Sequence, residues 1–180
     1  METVDDRELL RRAQNHEVQA LAEIYDRWSP AIYRYAFRLL GEAGLAEECV
    51  ADTFSRFLTA LKHGDGPRDY LQAYLYRIAH NWITDHYRRS NPLTVPLDAE
   101  LHSEVESEPS RLTLEELERQ QVRAALSCLT PDQRQVIMLK YVEEWDNEAI
   151  ARALDRPVGA IKALQHRALE SLRRILLSSE

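Results

Sequence analysis

Residues 146–174 read DNEAIARALDRPVGAIKALQHRALESLRR. Asp146 is an N-cap by type, because its carboxylate accepts from an orphan backbone N–H of the first helical turn. The helix it opens runs through Leu154, breaks at Asp155-Arg156, and Pro157 opens the next one, which reaches about Leu177. Ile150, Ala151 and Leu154 fall on one face of the first helix, and Val158, Ile161, Leu164 and Ala168 on one face of the second. Ala151 is small where two helices must cross closely. Helix, tight turn, helix is the arrangement that lets a second helix enter a major groove.

Charge follows the same division. From Arg156 to Arg174, four arginines and one lysine stand against Glu170 alone, a net of +4 inside a chain whose net is −7. Pro157, Val158 and Gly159 put backbone N–H groups at a helix start, where a phosphate oxygen binds well. Lys162, Gln165, His166 and Arg167 can reach bases or phosphates. An ordinary helical hairpin with a solvated basic face is the alternative on pattern alone.

The same helical grammar extends upstream. Thr130-Pro131-Asp132-Gln133 joins a capping box to a proline at the first helical position, so both ends of the box satisfy an orphan donor. Val136, Ile137, Leu139 and Lys140 lie on the helix it opens, and helices resume at Thr113. Nearer the N-terminus, periodicity starts near Arg7 with Leu9, Leu10 and Ala13. Ala20, Leu21, Ile24, Tyr25 and Trp28 make a second stripe, which Pro30 is expected to interrupt as the first-turn residue of a new helix. Ile32, Tyr33, Ala36, Phe37 and Leu40 make a third, closed by Gly41. Cys49, Val50, Phe54, Phe57, Leu58 and Leu61 make a fourth, all expected to point inward. The KHGDGP segment, Lys62 to Pro67, breaks it. Tyr70, Leu71, Tyr74, Leu75, Ile78, Trp82 and Ile83 make a fifth, which fades at Arg88-Arg89 and ends at Asn91-Pro92.

Between 91 and 112 the periodicity vanishes, and five acids against one arginine give a net of −4 with three prolines. This composition predicts a flexible acidic linker. The chain therefore reads as all-α, with two separate helical modules, 1–90 and 113–180, joined by 91–112.

Composition narrows the function classes. With 5 Gly and 7 Pro in 180 residues, helix is favoured over turn-rich sheet. A free-standing DNA binder is usually basic, so the negative net argues against tight unaided binding to duplex. Cys49 and Cys128 are far apart and outside any CxxC pair, and read as reduced thiols on apolar helix faces. The histidines lack metal-ligand spacing, so no metal or other cofactor is expected. No apolar run approaches the roughly 20 residues that span a bilayer. METVDDRELLRR lacks the basic-then-apolar order of a signal peptide, so a cytoplasmic protein without membrane insertion is expected. No Walker loop, nucleophile elbow or glycine fingerprint is present, and no catalytic residue is assigned.

Three stretches carry a resemblance to the bacterial sigma-70 family, specifically its extracytoplasmic-function type. LTPDQRQVIMLKYVEEWDNEAIARALDRPVGAIKALQHRALESLRR, 129–174, resembles sigma region four, with its LP-x-x-x-R-x-V-x-x-L opening and PVG-x-(I/V)-K-x-x-x-H-R-A recognition helix. The resemblance implies that this module reads the minus-thirty-five promoter element and that Arg156, Pro157, Val158, Gly159, Lys162, Gln165, His166 and Arg167 lie near DNA. Asp155 stands where the family often has glycine, so the turn must take a left-handed aspartate, at a cost. Leu164 and Leu169 replace common basic residues.

LAEECVADTFSRFLTAL, 45–61, resembles the region-two helix written DAED-LVQE-TF in the family. The resemblance implies that this helix grips the clamp helices of the polymerase largest subunit, with Glu47, Glu48 and Asp52 offering carboxylates to arginines. Ala51 and Asp52 replace the usual glutamine and glutamate. YLYRIAHNWITDHYRR, 74–89, resembles the segment that melts and reads the minus-ten element. Strand opening needs a pocket for an unstacked base and a basic track for the backbone. Asn81 offers a donor and an acceptor to a base edge, Asp85 orders the helix or touches a base, and Arg88 and Arg89 contact phosphates. For Trp82, base stacking and a core role both fit helical spacing. Tyr74 and Tyr76 read as structural.

The resemblance implies a sigma factor whose partners are core RNA polymerase, at the clamp helices and the flap, promoter DNA, and an anti-sigma factor as in relatives. A helix-turn-helix regulator acting without polymerase is the rival, and it leaves 74–89 unexplained.

Overall fold

In a computed structural model, the described residues, 4–90 and 113–178, form eight α-helices and one π-helical turn, with no strand among them. The predicted linker, 91–112, lies outside the described residues. Helix α1 spans Val4–Gln14, α2 Val18–Leu40, α3 Ala43–His63 and α4 Leu71–Ser90. After the linker come α5 Leu114–Ser127, α6 Pro131–Ile137, the π-helical turn Met138–Val142, α7 Asn147–Leu154 and α8 Val158–Leu177.

In the first unit, α2, α3 and α4 pack mutually and α1 lies along α2 and α4. Leu9, Leu10 and Ala13 bury the inner face of α1. Arg27 of α2 clamps its first turn, with Nη1 2.6 Å from Asp6 Oδ1 and Nη2 2.8 Å from Asp5 Oδ2. The expected break at Pro30 is absent, and α2 continues through it. Ala20, Ile24, Ile32, Tyr35, Ala36 and Leu39, on both sides of Pro30, are all fully buried. One uninterrupted apolar face outweighs the single hydrogen bond that proline removes. Gly41, at φ 74°, closes the helix through its N–H to Phe37 O. Gly64 plays the same part for α3 at φ 77°.

Leu58, expected to point inward, is 46% exposed, because Thr53, Phe54, Phe57 and Leu61 already fill the buried arc of α3. Cys49 lies in that arc, where burial pushes its thiol up to about 12. Cys128 is instead exposed, because it sits just past the last turn of α5 and not on an apolar face.

In the second unit, the predicted capping box at Thr130 forms, and a second one opens α5. Thr113 caps α5 with Glu116, and Thr130 caps α6 with Gln133. Asp146 Oδ1 accepts from Ala149 N–H at 2.6 Å, as its type requires. Val136, Leu139, Ile150, Ile161 and Ala168 make the centre of this unit. Asp155 takes the left-handed conformation at φ 51°. The turn is closed by Asp155 N–H to Arg152 O and Arg156 N–H to Ala151 O.

The two units, expected to be separate, touch. One continuous apolar cluster runs from α1 to α8. The reason is local to α4, whose inner side carries polar groups, among them Tyr76, His80 and Thr84, that find partners on the second unit.

Candidate nucleic-acid interface

Helix α8 presents Lys162, His166 and Arg167 to solvent from one side, while Ile161, Leu164 and Ala168 bury the other. This alternation follows from the 3.6-residue turn. At its start, Pro157 is extended, and the space beside exposed Gly159 is open, with no atom within 4 Å of a Cβ placed there. Val158 is partly buried in the unit's core. An oxyanion can therefore approach the first turn without meeting a side chain. His166 Nδ1 lies 3.5 Å from Glu170 Oε2, an ion pair only when the imidazole is protonated.

Two of the predicted contact residues are already engaged. Gln165 is 9% exposed, and its Nε2 donates to Asn147 Oδ1 at 2.7 Å, tying α8 to α7. Arg156 Nη2 donates to Asp132 Oδ2 at 2.6 Å, across to the first turn of α6. Arg173 and Arg174 are exposed further along α8 and extend its basic side.

On α4, Asn81, Asp85 and Arg88 are exposed at spacings of four and three, which places them on one edge. Arg88 Nη1 is 3.7 Å from Asp85 Oδ1. Arg89 is exposed beside them, and its Nε donates to Asp85 O at 3.4 Å. Trp82 is 8% exposed, belongs to the apolar core and stacks on His86 at 5.5 Å between centroids. Of its two possible roles, the core one is what the structure shows. Arg77, one turn before Asn81, continues the same exposed edge, with its guanidinium carbon 5.7 Å from the Tyr74 ring. Its place in the four-residue spacing marked it, and only its distance from the RR pair hid it.

On α3, Glu47 and Glu48 are exposed, while Asp52 is half-buried and held 2.5 Å from Arg56 Nε. Glu47 stands at the lip of a shallow groove of about 260 Å³ between α2 and α3. Tyr25, Ser29, Pro30, Tyr33 and Val50 line it. Nothing in the sequence pattern pointed to this groove, because it needs α2 to run straight through Pro30.

Among the described residues no group of three His, Cys, Asp or Glu side chains converges as a metal site. No described helix is long and apolar enough to cross a membrane.

Known proteins match this geometry along most of the chain. The family profile described as Sigma-70 region 2 matches residues 24–92, and Sigma-70, region 4 matches 119–172. The ECF RNA polymerase sigma factor BldN of Streptomyces coelicolor is 32% identical over 94% of this chain, which spans 65% of that protein's length. ECF RNA polymerase sigma factor SigL of Mycobacterium tuberculosis is 30% identical, with 89% of this chain and 90% of that protein aligned. Among solved structures, CnrH in complex with the cytosolic domain of CnrY superposes with a TM-score of 0.68 at 23% identity, covering 97% of this chain and 99% of that one.

Proposed function

The chain belongs to the ECF RNA polymerase sigma factors, and on that premise we propose how its surfaces divide the work of promoter recognition. It binds core RNA polymerase and directs it to promoters, as a transcription initiation factor. The exposed edge of α4 handles the opened minus-ten strand. Asn81 reads a base edge, and Arg77, Arg88 and Arg89 follow the phosphates, with Asp85 holding Arg88 in place. The outer side of α8 reads the minus-thirty-five duplex through Lys162, His166 and Arg167, with a phosphate seated at Pro157, Val158 and Gly159. Gln165 and Arg156 support that helix from within, and they reach DNA only by exchanging their present partners. Trp82 supports the α4 edge from the core.

Polymerase docks on α3 through Glu47, Glu48 and Asp52, and the adjoining Tyr25–Tyr33 groove takes an apolar side chain of the clamp. The second unit engages the flap. A regulatory protein of the anti-sigma class engages the folded chain. The factor acts in the cytoplasm, where core polymerase and promoters meet.

The observation that carries this reading is the pair of exposed polar faces on two different units of a chain that is net −7. An acidic chain binds duplex poorly by itself, so its basic edges work once polymerase supplies positive surface around them. A run-off assay with core polymerase tests it, and a discrete start site that requires this chain is expected. Reversing charge at Glu47, Glu48 and Asp52 together is expected to abolish core binding while circular dichroism stays unchanged. Undiminished binding by that variant would remove the docking surface.

A further inference from the structure

Arg156 stands in the turn that leads into α8, two residues before its first helical position. Its Nη2 donates to Asp132 Oδ2 at 2.6 Å, across to the first turn of α6. The two residues are 24 apart in the chain, so no local rule pairs them. Both side chains stay about half exposed, at 42% and 52%. Among the described residues, Lys162 and Arg167 have no carboxylate within ion-pair distance, and the neighbour of His166 is Glu170 of the same helix. Of these four predicted contact residues, Arg156 is the one that another helix holds by its charge.

The pair sits beside the phosphate seat of α8. Pro157, the N-cap, offers no side-chain hydrogen bond to the first turn, and its carbonyl takes the first bonds of the helix from Ala160 and Ile161 N–H. The N–H groups of Val158 and Gly159 lie ahead of that ladder, where an anion is stabilised. Nothing stands within 4 Å of a Cβ placed on Gly159. A phosphate entering there is within reach of the Arg156 guanidinium, and it also meets the field of the carboxylate that Arg156 holds.

The competition between the two anions can be argued from their chemistry. A half-exposed ion pair contributes little, because water and salt screen both charges. A phosphate accepts two parallel N–H bonds from an arginine fork, and the neighbouring phosphates of a duplex reinforce its charge. Asp132 keeps a second stabiliser when Arg156 leaves, since it lies in the first turn of α6, where the helix dipole favours a carboxylate. Exchange of partners is therefore accessible, but it changes the ionic balance. With Asp132 present, the pair brings no net charge to the duplex. The cation that the phosphate releases is matched by one that the abandoned carboxylate takes up.

We propose that Asp132 and Arg156 form a latch beside the α8 phosphate seat, in which Asp132 withholds one phosphate contact until duplex displaces it. Asp132 touches no base. It acts through Arg156 and sets how firmly duplex of any sequence is gripped. The proposal rests on the sigma-factor reading above, in which α8 meets the minus-thirty-five element. It adds a local device to the weak unaided DNA binding expected of a chain that is net −7.

Titration of holoenzyme, the full chain on core polymerase, with promoter duplex over a range of salt tests the latch. Asp132→Asn keeps the shape of the side chain and removes its charge. It is expected to tighten binding about threefold at low salt and to steepen the slope of log affinity against log salt by about 0.9, the value of one counterion. The gain is equal on duplex with a scrambled minus-thirty-five element, because a phosphate carries no sequence. Asp132→Glu keeps the charge and leaves the slope at its wild-type value. Arg156→Gln, added to Asp132→Asn, is expected to remove both the gain and the steeper slope, whereas in the wild-type background it changes the slope little. A merely structural Asp132 gives the opposite pattern: Asp132→Asn weakens binding, and Arg156→Gln costs the same in both backgrounds. Either result, or a gain confined to one sequence, overturns the proposal. If the chain gives no discrete start site with core polymerase, the sigma-factor reading falls. If the start is discrete and the slope does not move, that reading stands and the latch alone falls.

Discussion

His80 shows how one side chain takes its meaning from both units. Its sequence context, between Ile78 and Trp82 of an apolar stripe, gave it no role of its own. In the fold it is 2% exposed between Tyr35 and the carbonyl of Pro131, and Arg134 lies close by. Burial first, then the positive charge of Arg134, push its pKa down from 6.5 to about 3, against the opposing pull of Pro131 O. The folded chain therefore binds this proton less readily than the unfolded chain. Its contribution to stability is complete above about pH 6.5 and declines as pH falls from there toward 3. Unfolding free energy is expected to drop by about 1 kcal/mol from this group between pH 6.5 and 5.5. Urea titrations at those two pH values measure it, above the range where carboxylates dominate. His80→Gln, which keeps polar groups there without titrating, is expected to flatten the slope; an equal slope in both proteins would remove His80 as its source. At the same scale, Asp155 was legible in advance. The turn between α7 and α8 demands a left-handed residue, and aspartate supplies one at φ 51°. Gln165 was not legible. Its partner Asn147 is 18 residues away, and periodicity cannot tell a buried amide from an exposed one when each lies at a face boundary.

At the scale of elements, the ends of helices were more readable than their middles. Thr113, Thr130, Asp146, Gly41 and Gly64 each work through a bond within four residues of themselves, so local chemistry fixed them. The π-helical turn Met138–Val142 left no such trace. It widens the backbone where Met138 and Leu139 are buried and the chain must turn toward Trp145, whose N–H reaches Leu139 O at 2.9 Å. Proline in α2 misled for a related reason. A local rule favoured a break at Pro30, and the burial of Ile24 and Ile32 on either side overrode it. The cost of that override is measurable. Pro30 is exposed, so replacing it by alanine leaves no cavity and lets residue 30 donate a backbone hydrogen bond. Pro30→Ala is expected to stabilise the chain by about 1–3 kcal/mol in denaturant titrations. A destabilised variant would mean instead that Pro30 is needed where it lines the groove with Tyr25 and Tyr33.

Across the whole molecule, two helical units with different nucleic-acid faces followed from composition and motif, whereas their mutual contact did not. Hydrophobic periodicity reports that a face is covered, never by what. Tyr76 read as structural without a partner, His80, Thr84 and Tyr87 fell outside the apolar stripe, and the partners of all four stand 47 to 67 residues further on. Polar seams of this kind carry no periodic signature, so only the fold discloses them. Function at this scale depends on whether both units hold DNA at once. Inserting five base pairs between the minus-ten and minus-thirty-five elements lengthens the path by about 17 Å and rotates one element by about half a turn relative to the other. With α4 and α8 each bound to its own element and both units fixed on polymerase, that rotation turns the major groove away from Lys162, His166 and Arg167. Run-off output is then expected to fall at least about tenfold, the equivalent of losing one good base contact. If α4 alone held the promoter, the inserted turn would go unnoticed, and output unchanged by spacer length would show that the second unit does not read DNA in the initiating complex.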